Sequence, residues 1–258
     1  MKTPTSVLII EEIFDRYVTY KQLENKLENI RDAFKEKMME DEVRRIFPLQ
    51  GIVAKYTKNR IYEVNQIGIN ELLNDHGLLI NTARFDKDER LSGFENEQTY
   101  HLRINTKIAK EEYDFSNLSE MELTKIWVET HSQLKALEPI INGAKKQIAL
   151  CKELVKTKKL SFSEGTISLA KNKVSYNVQA IANTLGIDFV IENAKVSSEK
   201  LTEYVDSGFI SSKEISKFKK LVNVTLKFVV MTLDDENLIL NILKEKRMNA
   251  SLRRGMEA

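Results

Sequence analysis

A chain of 258 residues with 42% apolar side chains can bury a core as one large domain or two small ones, and its 30% charged residues imply long solvated helix faces. Forty basic against 38 acidic side chains exclude a strongly electropositive protein but leave room for local basic patches. No apolar run approaches the roughly 20 residues of a membrane span, the start MKTPTSVLIIEEIFDRY lacks the layout of a signal peptide, and the lone Cys151 allows no intrachain disulfide, so a cytoplasmic protein without a membrane partner is expected.

In chain order, residues 1–46 are expected to hold a long helix, over roughly 18–45. Leu23, Leu27, Ile30, Phe34 and Met38 recur at helical spacing, and Pro48 should stop the helix because it has no N–H for the ladder. Residues 47–108 read as a first α/β lobe. Within it, GIVAKYTKNRIYEV (Gly51 to Val64) suggests a hairpin with Thr57-Lys58-Asn59-Arg60 at its tip. NQIGINELLNDHG suggests a helix closed by Gly77, and YHLRIN a closing strand with Tyr100, Leu102 and Ile104 on one face.

Residues 119–159 form a second long helix, opened by the capping-box pair Ser119 and Glu122. Its seam runs Leu123, Trp127, Thr130, Leu134, Leu137, Ile141, Ala144, Ile148, Cys151, Val155, in steps of three and four. Pro139 and Asn142-Gly143 predict a kink or break near Glu138. If the helix turns back there, its halves pair with each other; otherwise the seam pairs with the 23–38 stripe as an antiparallel pair, or carries a protein partner or a homo-oligomer. The internal pairing of the two long helices is preferred because both stripes need burial.

Residues 160–232 repeat the first lobe. GTISLAKNKVSYNV (Gly165 to Val178) reads as a hairpin with Lys171-Asn172-Lys173 at the tip, QAIANTLG as a helix ending at Gly186, and VNVTLKFVV as a strand with Val222, Val224, Leu226, Phe228 and Val230 on one face. Ser211 and Glu214 predict a second capping box. Residues 233–258 are a C-terminal helix, through Leu238, Ile239, Ile242 and Leu243, with a basic tail at Lys244, Lys246, Arg247, Arg253 and Arg254. The expected fold is α+β: two similar small lobes of hairpin, helix and closing strand, joined by long coiled-coil-like helices, an internal duplication.

Motifs for catalysis are missing. There is no phosphate-cradling glycine loop and no nucleophile elbow. His76, His101 and His131 are far apart; His76 is expected to bond helix-end carbonyls, and Cys151 to act as a small hydrophobe. Asp86, Asp88 and Glu89 are the one acidic cluster with a divalent-cation look, and a metal-dependent nuclease is the weakest reading of them. No cofactor is expected. Basic clusters are the better lead: Lys55, Lys58 and Arg60; Lys156, Lys158 and Lys159; Lys171 and Lys173; Lys217, Lys219 and Lys220. Gathered on one side, these would neutralise phosphates.

A long charged helix running into KKLSFSEGTISLAKNKVSYNV and a small α/β unit resembles phage-encoded host-nuclease inhibitors of the Gam type and related small siphophage resistance proteins. The resemblance covers residues 119–230 and, more weakly, 20–105. It implies a phage or prophage protein without catalysis that binds DNA or blocks a host nuclease or defence protein. Two copies of the unit, and no proline-rich hairpin tip, set this chain apart from that pattern.

Overall fold

The computed structural model describes residues 4–38, 42–107 and 111–256. Its elements are α1 (Pro4–Lys37), β1 (Arg44–Phe47), β2 (Ile52–Val64), α2 (Gln66–Asp75), a 3-10 turn (Glu89–Leu91), β3 (Tyr100–Thr106), α3 (Glu120–Ala149), α4 (Lys152–Thr157), β4 (Lys159–Ser161), β5 (Gly165–Lys171), α5 (Val178–Leu185), α6 (Ile187–Asn193), α7 (Ser198–Asp206), α8 (Ser212–Ser216), β6 (Lys219–Thr232) and α9 (Leu233–Met256). The fold is α+β. Two three-stranded sheets have the orders β1-β2-β6 and β3-β5-β4.

The two compact units are interleaved along the chain. The first takes Met1–Thr57, Thr99–Asn172 and Phe228–Leu233; the second takes Lys58–Gln98, Lys173–Lys227 and Asp234–Ala258. Consecutive lobes at 47–108 and 160–232 are therefore not what packs. The reason is strand pairing across the sequence halves: β3 of the first half pairs with β5 of the second, Tyr100 opposite Lys171 through Thr106 opposite Gly165.

In the first unit, α1 and α3 form the expected antiparallel pair. Ile10, Ile13 and Phe14 cluster with Ile141 and Ile148, while Ile30 and Phe34 at the other end of α1 cluster with Leu123 and Trp127. The first cluster also takes Ile104, Leu160 and Ile167 from the β3-β5-β4 sheet; the second takes Ile52, Ala54 and Phe228. Each large apolar side chain so buried contributes about 1.5–3 kcal/mol. α1 starts earlier than expected and ends at Lys37, ahead of Pro48, which instead sits in the β1–β2 turn, where Gly51 N–H donates to the Pro48 carbonyl at 3.2 Å. α3 runs through Pro139 without the expected break. The ring is exposed, on the solvent side of the helix. The helix breaks later, at Leu150, and Cys151 opens α4.

Neither predicted hairpin forms; the hairpins present lie one strand earlier. β1 pairs with β2, Phe47 opposite Ile52, and β4 pairs with β5, Ser161 opposite Thr166. Gly51 thus closes the first turn just ahead of β2, and Gly165 opens β5. Thr57 to Arg60 are not a tip, since β2 continues through them to Val64. Lys171, Asn172 and Lys173 are not a tip either: the chain leaves β5 there and makes a single bridge, Tyr176 with Glu95, before α5.

In the second unit, α2, α5, α6, α7 and α8 surround a core that includes Ile69, Leu73, Phe85, Tyr176, Ile181, Val190, Leu201 and Ile215. Buried Asn70 donates to the carbonyls of Ile191 and Ala194, each at 2.8 Å. Both predicted capping boxes form, at Ser119–Glu122 in the first unit and Ser211–Glu214 in the second. α2 and α5 open alike: Asn65 and Asn177 accept from the N–H groups of Gly68 and Ala180, with φ, ψ of −72°, 95° and −78°, 92°. Positive φ at Gly77 (66°) and Gly186 (91°) ends them.

Candidate nucleic-acid and partner interface

β2 and β6 change environment along their length. Ile52, Val53 and Ala54 are buried, and every residue from Lys58 to Val64 is exposed. In β6, Lys220 to Lys227 are all exposed and Phe228 is buried. The second unit therefore holds a two-stranded ribbon, Lys58–Val64 with Lys219–Lys227, open on both faces. Leu233 N–H donates to the Gly51 carbonyl at 2.7 Å, and the Thr225 hydroxyl to the Asn59 carbonyl at 3.5 Å. Gly51 meets Leu233 at one end and Asn65 meets Phe218 at the other, so the strands run antiparallel; the number sums, 284 and 283, differ by one, so the register shifts by one residue between the two ends.

Alternation sets Lys58, Arg60 and Tyr62 on one side of β2, and Val222, Val224 and Leu226 on one side of β6. The ribbon carries Lys58, Arg60, Lys219, Lys220 and Lys227 against one carboxylate, Glu63. At its base, Lys217, Lys219, Lys220 and Glu63 border a cavity of about 320 Å³ with Phe218 and Asn65. Asn65 N–H donates to the Phe218 carbonyl at 2.9 Å, and Gly68 admits the Phe218 ring: a Cβ there would lie 2.4 Å from it. The ribbon's exit is thereby fixed to α2.

Of the eleven predicted basic residues, the structure groups Lys58, Arg60, Lys217, Lys219 and Lys220 around this ribbon. Lys173 belongs to the same unit but borders a different cleft, with Arg84, Asp86 and Lys195. Lys55, Lys156, Lys158, Lys159 and Lys171 belong to the first unit. There Lys158 has a structural job. It closes α4 in the left-handed region (φ 62°), and its Nζ lies 4.2 Å from the centre of the Tyr100 ring. Lys159 and Arg103 flank Ser168 on the exposed face of the β3-β5-β4 sheet. Sequence reasoning missed Lys227 and Arg103, although both stand at alternating positions of their strands. Val222, Val224 and Leu226, expected to share one face with Phe228 and Val230, are 52%, 43% and 62% exposed.

Of the helix seam, Leu123, Trp127, Ile141 and Ile148 are buried and Leu137 packs beside them. Leu134 instead lines a cleft of about 660 Å³ with Arg31, Glu28, Trp127 and His131, where the α1–α3 pair opens. Val155 is exposed. The Asp86 and Asp88 carboxylates face cations. Lys195 binds Asp86 and holds its carboxyl below the usual range, and Arg90 does the same for Asp88 through both its side chain and its backbone N–H. His76 caps α2 through its backbone, and its Nε2 lies 3.4 Å from Glu214 rather than on helix-end carbonyls. Among the described residues no group of three or more His, Cys, Asp or Glu is placed to hold a metal ion, and no helix is long and apolar enough to cross a membrane. The side chains of Arg253 and Arg254 lie outside the described ones. No family model, no curated protein and no solved structure matches the chain.

Proposed function

We propose that this is a non-enzymatic, phage- or prophage-type protein that binds DNA through the ribbon of β2 and β6. The observation that carries the reading is a two-stranded ribbon, exposed on both faces, with five cations against one carboxylate and Tyr62 among them. A ribbon of this width fits the major groove, ~12 Å across, and its cations would displace counterions from phosphates. A host nuclease or defence protein is the second reading. Val222, Val224 and Leu226 favour it, since an apolar row beside cations suits a protein surface. Assembly through the α3 seam loses ground, because that seam packs against α1. The repeat expected from the sequence is best supported at its narrowest, in the two Asn-capped helices α2 and α5.

The test is fluorescence anisotropy with duplex DNA at 50 and 200 mM salt. Four phosphate contacts predict a log–log salt slope of about −3.6. Replacing Lys58, Arg60, Lys219 and Lys220 with Glu should abolish binding, and replacing Lys156, Lys159 and Lys171 should not. Binding that survives the first set, or is lost only with the second, removes the ribbon from the reading.

A further inference from the structure

α9 is covered less than its composition requires. Leu238, Ile239, Leu240, Ile242 and Leu243 make five of six consecutive positions apolar, and each is 42–58% exposed. At about 100° per residue the five apolar side chains spread over roughly 200° of the circumference, with Asn241 on the remaining side, a stripe as wide as a core-facing helix carries. The helix is anchored on either side of it. Glu236 is 8% exposed before it; after it, Ala250 is 3% exposed and Lys246 binds Asp206 at 2.9 Å. The uncovered part is therefore the apolar run itself, extended outward by Met248 and Leu252 at 61% and 66% exposure.

Charge along α9 identifies what fits over it. Asp234, Asp235 and Glu236 precede the apolar run; Lys244, Glu245, Lys246 and Arg247, net basic, follow it. The midpoint of Leu238–Leu243 falls between Leu240 and Asn241, and the midpoint between Asp235 and Lys246 falls at the same place. A second α9 laid antiparallel about that point sets apolar run on apolar run, with Asp234 level with Arg247 and Asp235 level with Lys246 at both sides, against one like-charge pair, Glu236 with Glu245. A parallel copy would set acid against acid. We propose that two copies of this chain form a two-fold dimer through an antiparallel α9 pair. Such a contact is isologous, the commonest form of closed assembly, and it does not involve the ribbon.

Light scattering on the full chain should give twice the 29.8 kDa chain mass. The variant Asp234→Lys/Asp235→Lys should fall to single-chain mass, as should Lys244→Glu/Arg247→Glu, with helical circular dichroism and melting unchanged to show that both fold. Mixed in equal amounts, the two variants should return to twice the mass. Orientation is read from Asn237→Cys in a Cys151→Ala background: an antiparallel pair holds the two introduced thiols apart, so oxidation should give no cross-linked dimer. A wild-type chain at single-chain mass near 100 μM, a folded reversal variant that stays dimeric alone, a mixture that stays monomeric, or efficient cross-linking through the introduced thiol each overturns the proposal.

Discussion

The strand that follows Gly51 runs for 13 residues, from Ile52 to Val64, while the strand that opens at Gly165 ends after seven, at Lys171. Both stretches begin on a glycine after a turn, and both carry a Lys-Asn pair in the middle. Partners make the difference. β2 lies against β6, 14 residues long, so Thr57 to Arg60 have a ladder to stay in. β5 lies against β3, whose last pair is Tyr100 with Lys171. Asn172 adds a last bond in the same register, donating from its backbone and side chain to Thr99 at 3.0 and 2.8 Å, while its side-chain oxygen meets His101 Nδ1 at 2.8 Å, and the strand ends there. The same dipeptide is strand in one place and exit in the other because strand preference is a property of the neighbours.

The sharpest way to break this comparison is at the glycines, which look equivalent in sequence and are not. A Cβ on Gly165 would lie 2.1 Å from the Asn105 carbonyl oxygen and 3.0 Å from Phe14 Cε1. That oxygen is part of β3 and cannot withdraw without opening the β3–β5 ladder. Gly51 has nothing within 4 Å of such a Cβ, but its φ is +65°. Gly165→Ala is expected to cost about 3 kcal/mol or more, at the upper end of overpacking. Gly51→Ala should cost about 1–2 kcal/mol, the penalty of a side chain in the left-handed region. Urea denaturation separates the two, and equal losses would mean that the close approach at Gly165 is not rigid.

A smaller effect tests where the two halves agree. Asn65 and Asn177 cap α2 and α5 with matching geometry, so Asn65→Ala and Asn177→Ala should each cost about 1 kcal/mol. Losses that differ by more than twofold would leave the likeness of these helices as coincidence of shape.

These caps, the two capping boxes and the α3 seam were legible because each is a local pattern: a polar side chain within three residues of the N–H it binds, or an apolar stripe on one helix. What covers a pattern is not local. Period-two alternation in VNVTLKFVV fixes which residues share a face, and says nothing about whether that face is buried; Phe228 is and Val224 is not. Nor does a glycine announce its reason, as Gly51 and Gly165 show. The interleaving of the two units rests on Tyr100–Lys171 and its neighbouring pairs, some 60 to 70 residues apart in sequence, beyond the reach of any window reading. The candidate site suffered most, because Lys58 and Lys171 were grouped by a shared hairpin role that neither has.

The least effect expected is the pH dependence of the capping box in the second unit. The Ser211 hydroxyl and backbone N–H hold the Glu214 carboxyl below the usual range, with a further contribution from His76. A carboxyl with a depressed value in the folded chain stabilises it above the unfolded glutamate value, about 4.3. That stability is lost as pH falls through the lower folded value. Ser211→Ala removes the partner, so the stability gap between the two chains should be full at pH 7 and narrower at pH 3. Glu214 is partly solvated, which keeps the pH-dependent part under about 1 kcal/mol. The Ser119–Glu122 box has the same serine contacts and no histidine, so Ser119→Ala should show a gap that narrows in the same direction. A gap that is constant or wider at pH 3 would show that the serines act on the helix N–H groups alone and leave the carboxylates unaffected.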